Sequence, residues 1–255
     1  MHNRTKKNYG LKVACPNFVL LKVVNLRSLN FSFKKMKSLQ NLIMYLGRPD
    51  DNLMVERCRY ALNKMLNIVC NVKALDVSEV FLEYLHQAVD ILSFNNLKCL
   101  ALGLRRAEFN KHSLINMLEC SPNLETLNIY IKLSHFLMPK DPWKMPTMPN
   151  KTTPCLKYHL KIVELFHVPD DMYEHDLVKF FLKNGHILQK MRISLVHSDR
   201  NTDEIISEIM TFPRSSPNLA LTFVDPFHIS LDGESYGCFC NAKGDNSLKN
   251  KTSKK

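Results

Sequence analysis

Apolar positions along the chain repeat one short phrase, Leu-x-x-Leu-x-Leu with apolar replacements. It is read at Phe18/Leu21/Val23, Leu39/Leu42/Met44, Val72/Leu75/Val77 and Leu97/Leu100/Leu102. It continues at Leu124/Leu127/Ile129, Leu160/Val163/Leu165 and Leu188/Met191/Ile193, with a degenerate copy at Leu219/Leu221/Phe223. Three copies follow a Pro-Asn turn: Cys15-Pro16-Asn17, Ser121-Pro122-Asn123 and Ser216-Pro217-Asn218. Alternation with period two marks strands, so strands are expected near 20–24, 41–45, 74–78, 99–103, 126–130, 162–166 and 190–194. Helical periodicity appears between them. Asp51 or Asn52 is placed to cap a helix carrying Val55, Cys58, Leu62, Met65, Leu66 and Val69, and Ser113 one carrying Leu114, Ile115, Met117 and Leu118. Leu177–Lys183 runs to Asn184-Gly185, a left-handed C-cap signal. Asn201-Thr-Asp-Glu204 is a capping-box pattern, and Pro213 stops the helix that follows.

Start-to-start intervals of 21, 33, 25, 27, 36, 28 and 31 residues scatter around the upper end of the roughly 20–29-residue leucine-rich repeat. A strand, a turn and a helix that returns to the next strand build a stacked parallel solenoid, in which each unit buries its leucines against its neighbours. The expected fold class is therefore α/β, a leucine-rich-repeat solenoid with parallel strands and returning helices.

Composition removes several function classes. The 7 glycines are isolated or lie in the polar C-terminal stretch, so no phosphate-cradling loop or dinucleotide fingerprint can be assembled. The 8 cysteines are scattered; Cys238-Phe-Cys240 has neither zinc-ligand spacing nor a second pair. No Gly-x-Ser-x-Gly elbow or His-Glu-x-x-His helix is present. Glu174-His175-Asp176 reads as a solvated helix start, with acids near the positive end of the helix dipole. His159, His167 and His186 read as surface or half-buried histidines. No catalytic, cofactor-binding or metal-binding residues, and no cofactors, are expected.

The formal charge of +11, from 35 Lys and Arg against 24 Asp and Glu, raises nucleic acid as a partner. Much of the excess sits in Arg4, Lys6 and Lys7 and in Lys249, Lys251, Lys254 and Lys255, where charge is usually solvated. The first ten residues lack an apolar signal core, and no apolar run approaches the ~18 residues of a membrane span. These features point to the cytoplasm or nucleus.

Several segments resemble plant F-box proteins with leucine-rich repeats and a C-terminal FBD domain. Pro154-Cys-Leu156 and His159–Leu165 resemble the strand that opens that domain, Asp176–Gly185 its first helix and turn, Ile187–Ile193 its second strand, and Phe212–Pro217 its closing turn. Ser121–Ile129 is similar to the family's repeats. The resemblance implies leucine-rich repeats at 15–132 and an FBD-like repeat unit at 154–225 ending the solenoid; composition marks a basic leader at 1–14, a Pro-rich spacer at 133–153 and a disordered basic tail at 226–255. The resemblance further implies a non-enzymatic protein-binding module like the substrate-recognition part of an F-box ubiquitin-ligase receptor. No F-box pattern precedes the first repeat, so a Skp-type adaptor is expected as a partner only if an F-box is supplied. A nucleic-acid-binding protein, or a truncated product with no retained activity, is the alternative.

The residues alternating with the core leucines face the open side of the sheet. Aromatic and charged groups there are what a recognition surface uses, and the candidates for contact with a protein partner are Tyr45, Asn128, Tyr130, Glu164, Phe166, Lys190 and Arg192. If Glu164 and Arg192 occupy equivalent positions on adjacent strands they neutralise one another, and the intervening helix decides whether they do.

Overall fold

Every copy of the phrase becomes a strand, because alternating apolar residues can bury one side of a pleated backbone and leave the other open. The computed structural model describes residues 11–14, 17–26, 31–34, 36–46, 60, 62, 65, 68–86, 93–105, 111–132, 152–169, 172–196 and 201–224. Most of the spacer and the whole of the expected tail lie outside them.

Eight strands form one parallel sheet: β2 (Leu20–Leu26), β4 (Asn41–Leu46), β5 (Ala74–Ser78), β6 (Cys99–Arg105), β7 (Thr126–Lys132), β8 (Ile162–Val168), β9 (Lys190–Leu195) and β10 (Ala220–Val224). Their order in the sheet follows the chain, as a solenoid requires. The register aligns the repeat across all eight: Leu21, Leu42, Leu75, Leu100, Leu127, Val163, Met191 and Leu221 stand in one row. The six inner members are fully buried, whereas Leu21 and Leu221 are only partly so. End strands have a neighbour on one side alone.

The carbonyl just before each strand locks the stack. That of Gln40 accepts N–H bonds from Lys73 and Ala74, that of Lys73 from Lys98 and Cys99, and that of Lys98 from Glu125 and Thr126. The same pattern continues at Glu125 and Lys161.

Helices cover one side of the sheet: α1 (Glu79–His86), α2 (Lys111–Glu119), α3 (Pro154–Tyr158), α4 (Met172–Asn184) and α5 (Thr202–Met210). Phe81, Leu114, Phe181 and Ile209 from four of them join the strand leucines in one core. Of the helix expected after Asp51, the described positions Leu62, Met65 and Val69 are buried in that core.

Several expectations are corrected. Pro154-Cys-Leu156, read as part of a strand, lies in α3; Pro154 occupies the first helical turn, where its missing N–H costs nothing. Ser113 lies inside α2, which begins at Lys111, and its buried hydroxyl has no hydrogen-bond partner among the described residues. Gly185 has no left-handed backbone. A Cβ there would sit inside the Leu188 side chain and 2.8 Å from the Phe181 carbonyl oxygen, so glycine serves close packing. The capping of α5 is as expected on one side: Asn201 Oδ1 accepts from the Asp203 N–H at 3.0 Å.

Leu11–Ala14, assigned to the leader, forms β1 and pairs in parallel with β3 (Phe31–Lys34) in a separate two-stranded sheet. The register of β2 on β4 gives a repeat of only 21 residues. A helix advances about 1.5 Å per residue against about 3.3 Å for a strand, so a repeat this short favours an extended return.

Candidate functional site

On the open side of the sheet the register builds rows across the strands. The middle row runs Ile43, Asp76, Ala101, Asn128, Glu164, Arg192 and Thr222. The next row places Ser78, Gly103, Tyr130 and Phe166 side by side. Five of the seven candidates from the sequence thus fall in two adjacent rows on neighbouring strands. Lys190 stands one row away beside Ile162, exposed. Tyr45 lies past Ile43 on β4, half-buried.

The aromatic candidates were expected to be exposed, and here the structure differs. Tyr130 and Phe166 stack with ring centroids 4.5 Å apart and planes inclined by 14°. Both are buried, at 7% and 5% exposure, and Tyr45 packs against the pair. Ser78 and Gly103 separate Tyr45 from Tyr130 in the sheet. Their small side chains leave space above β5 and β6 that the rings fill. Stacking there removes apolar ring surface from water. Just past Phe166, β8 carries one extra residue: Leu165 opposes Ile193, and Val168 opposes Leu195. His167, at the bulge, has φ 57°, and burial holds its imidazole below the ordinary histidine range.

Beneath the rings lies a polar row. The Tyr45 hydroxyl donates to Asp76 Oδ1 at 2.5 Å. Asp76 is fully buried; burial pushes its carboxyl up to about 7, against the lowering effects of the Tyr45 hydrogen bond and the charge of Lys22. Among the described residues its second oxygen, Oδ2, has no partner, and neither has Oδ1 of Asn128, two strands away. Arg192 Nη1 donates to Glu164 Oε1 at 2.9 Å. The intervening helix therefore preserves the register, and those two side chains neutralise each other. Sequence reading placed Asp76 on the open face without singling it out. The signal was present: an acid between Leu75 and Val77, at a position where neighbouring repeats carry Ile43 and Ala101.

Part of the positive charge is locally balanced. Glu125, just before β7, accepts from Lys98 at 2.7 Å and Lys161 at 3.4 Å. The Lys98 hydrogen bond leads in holding its carboxyl below the usual range. His175, expected in a solvated helix start, is 1% exposed. It is wedged between α4 and α5, 3.5 Å from Glu208 Oε1, with the Phe212 ring 6.4 Å away. Among the described residues no three His, Cys, Asp or Glu side chains converge as a metal-binding group, and no helix is long and apolar enough to cross a membrane.

Comparison with known proteins agrees with this architecture. Residues 5–217 match the family model described as At1g61320/AtMIF1, LRR domain. A protein of Arabidopsis thaliana named F-box/FBD/LRR-repeat protein At5g56570 is 31% identical over 124 residues, which is 48% of this chain and 27% of that protein. The match thus spans about a quarter of the relative's length. No solved structure matches the chain.

Proposed function

The chain belongs to the At1g61320/AtMIF1 leucine-rich-repeat domain family, and from that premise we propose that it is a non-enzymatic protein-recognition module whose partner docks on the open face of the parallel sheet. The observation that carries this reading is the alignment of aromatic and polar side chains across consecutive strands, from Tyr45 and Asp76 through Asn128, Tyr130, Glu164 and Phe166 to Arg192. A solenoid fixes such rows on a rigid backbone, so a partner meets them with little ordering cost. Half-buried Tyr45 and Arg192 and exposed Lys190 are the parts of these rows most open to a partner.

The relative's name adds the context of an F-box receptor. In that setting this face would select the protein delivered to a ubiquitin ligase, with a Skp-type adaptor engaged only through an F-box module.

The test is affinity capture from plant extract with the chain, with Lys190→Glu, and with Tyr45→Ala combined with Lys190→Glu. The expected result is a defined set of proteins retained by the parent and lost together from both variants, with retention surviving moderate salt. Retention of the same set by all three proteins would place the interface elsewhere. Capture of nucleic acid that falls steeply with ionic strength would replace the reading by phosphate binding.

A further inference from the structure

The middle row of the open face contains two acceptors without a hydrogen-bond partner among the described residues. Asp76 Oδ2 and Asn128 Oδ1 are buried and lack hydrogen-bond partners, in residues that are 0% and 4% exposed. They flank Ala101 in consecutive register on β5, β6 and β7, so their backbones stand roughly 9–10 Å apart, two strand spacings. Ala101 puts only a methyl between them, and Gly103 puts nothing in the next row. Leaving a buried acceptor unpaired is costly in a protein interior. Two of them on one face, with only the Ala101 methyl in the row between them, call for a ligand that donates at both ends.

We propose that the closed stretch of the face over Ala101, between Asp76 and Asn128, opens as a gap for the guanidinium of an arginine side chain on the partner protein when the Tyr45 ring, its gate, swings aside. The inference rests on the open face being the partner surface. A guanidinium is planar, permanently charged and carries N–H donors on opposite edges. One edge meets Asp76, whose other oxygen the Tyr45 hydroxyl holds in the closed arrangement. The opposite edge meets Asn128 Oδ1. Tyr45 packs against the stacked Tyr130–Phe166 rings in the adjacent row, and aromatic faces attract a cation. Tyr45 is the half-buried member of the three, so its ring is the one placed to swing aside. A lysine ammonium matches the charge but not the planar, two-ended set of donors. Glu164 does not compete for the guest, since its carboxylate is paired with Arg192.

The subsite is tested on the whole chain by NMR titration with Nα-acetyl-arginine methylamide, using the citrulline analogue as the uncharged control of the same shape. Saturable shifts at Tyr45 and Ala101 are expected with the arginine probe and none with citrulline. Binding should weaken at least tenfold in Asp76→Asn, which keeps the size and the Tyr45 contact, and in Ala101→Leu, which fills the gap. It should strengthen several-fold in Asn128→Asp, which adds a second carboxylate. Equal responses to both probes, no saturable response, or unaltered arginine binding in a folded Asp76→Asn protein would overturn the proposal. Should Asp76→Asn fail to fold, Ala101→Leu carries the test alone. Partner capture that survives Asp76→Asn but is lost in Lys190→Glu would retain the open-face reading and remove the arginine subsite. Arginine binding that follows these variants while Lys190→Glu and the Tyr45→Ala combination leave capture intact would do the reverse.

Discussion

The Tyr45 hydroxyl reaches diagonally from β4 to Asp76 on β5 and donates to Oδ1 at 2.5 Å, a bond between residues 31 apart in the chain. It anchors the outermost ring of the aromatic group to the one buried acid of the middle row whose second oxygen is unpartnered. That bond connects the packing of the open face to its protonation state.

Because burial raises the Asp76 carboxyl to about 7 from an ordinary 3.8, folding and pH are linked through it. The folded state holds this proton more tightly than the unfolded chain does. The stability it contributes is complete below the unfolded value, near pH 4, and is lost as pH rises through about 7. Urea midpoints of the parent relative to Asp76→Asn are expected to fall between pH 4 and 7 and then level off. Tyr45→Phe removes an interaction that favours the carboxylate, so it should move the window to higher pH. Parallel stability curves for parent and Asp76→Asn would disprove the linkage.

Arg192→Met should destabilise the chain by roughly 1–3 kcal/mol, since it strands the Glu164 carboxylate in a site only 8% exposed. The partial exposure of Arg192, 31%, argues for the lower end, because solvent screens the pair. Pairing Arg192→Met with Glu164→Gln is expected to recover most of the loss. A double-mutant cycle on denaturant midpoints measures this, and a strictly additive cycle would show that the two groups do not couple.

Gly185→Ala should cost about 1–3 kcal/mol, because the new methyl would overlap Leu188 and the Phe181 carbonyl. Gly185→Asn separates this cause from a left-handed cap, which asparagine tolerates. The steric account predicts that asparagine is at least as damaging as alanine. Thermal melts in which Gly185→Asn matches the parent would restore the cap explanation.

Phe18, just before β2, and Leu20, its first residue, are 45% and 48% exposed, and among the described strands β2 bonds only to β4. An apolar, unpaired edge invites strand addition. The chain should self-associate with rising concentration in light-scattering measurements, and Phe18→Lys with Leu20→Lys should suppress this at little cost in melting temperature. Leu100→Ala, in the centre of the same sheet, should instead cost about 2–5 kcal/mol. A parent that stays monomeric at high concentration would show the edge to be protected.

The sequence by itself determined where the eight strands of the main sheet lie and that their template leucines enter the core, though not the small β1–β3 sheet. These depend on local alternation: a leucine at every second strand position has one way to be buried, and the eight copies of the phrase locate it. β10 shows the limit of such reading. Ala220 opposes Lys190, so the last repeat is 30 residues long and its first template leucine, Leu219, falls out of line. The helix Glu79–His86 was not anticipated, because its run of Val80, Phe81, Leu82, Tyr84 and Leu85 is apolar around too much of its circumference to show a clean stripe. Tertiary structure alone decided what the outward-facing residues do. Asp76 meets Tyr45, Glu164 meets Arg192 and His175 meets Glu208 only after helices and loops of different lengths have returned each strand to its register. Alternation fixes the side of the sheet on which a side chain stands, but its neighbour belongs to another repeat. The small residues Ser78 and Gly103 then let the rings of Tyr45, Tyr130 and Phe166 close over β5 and β6, turning a face that reads as exposed into one largely withdrawn from water.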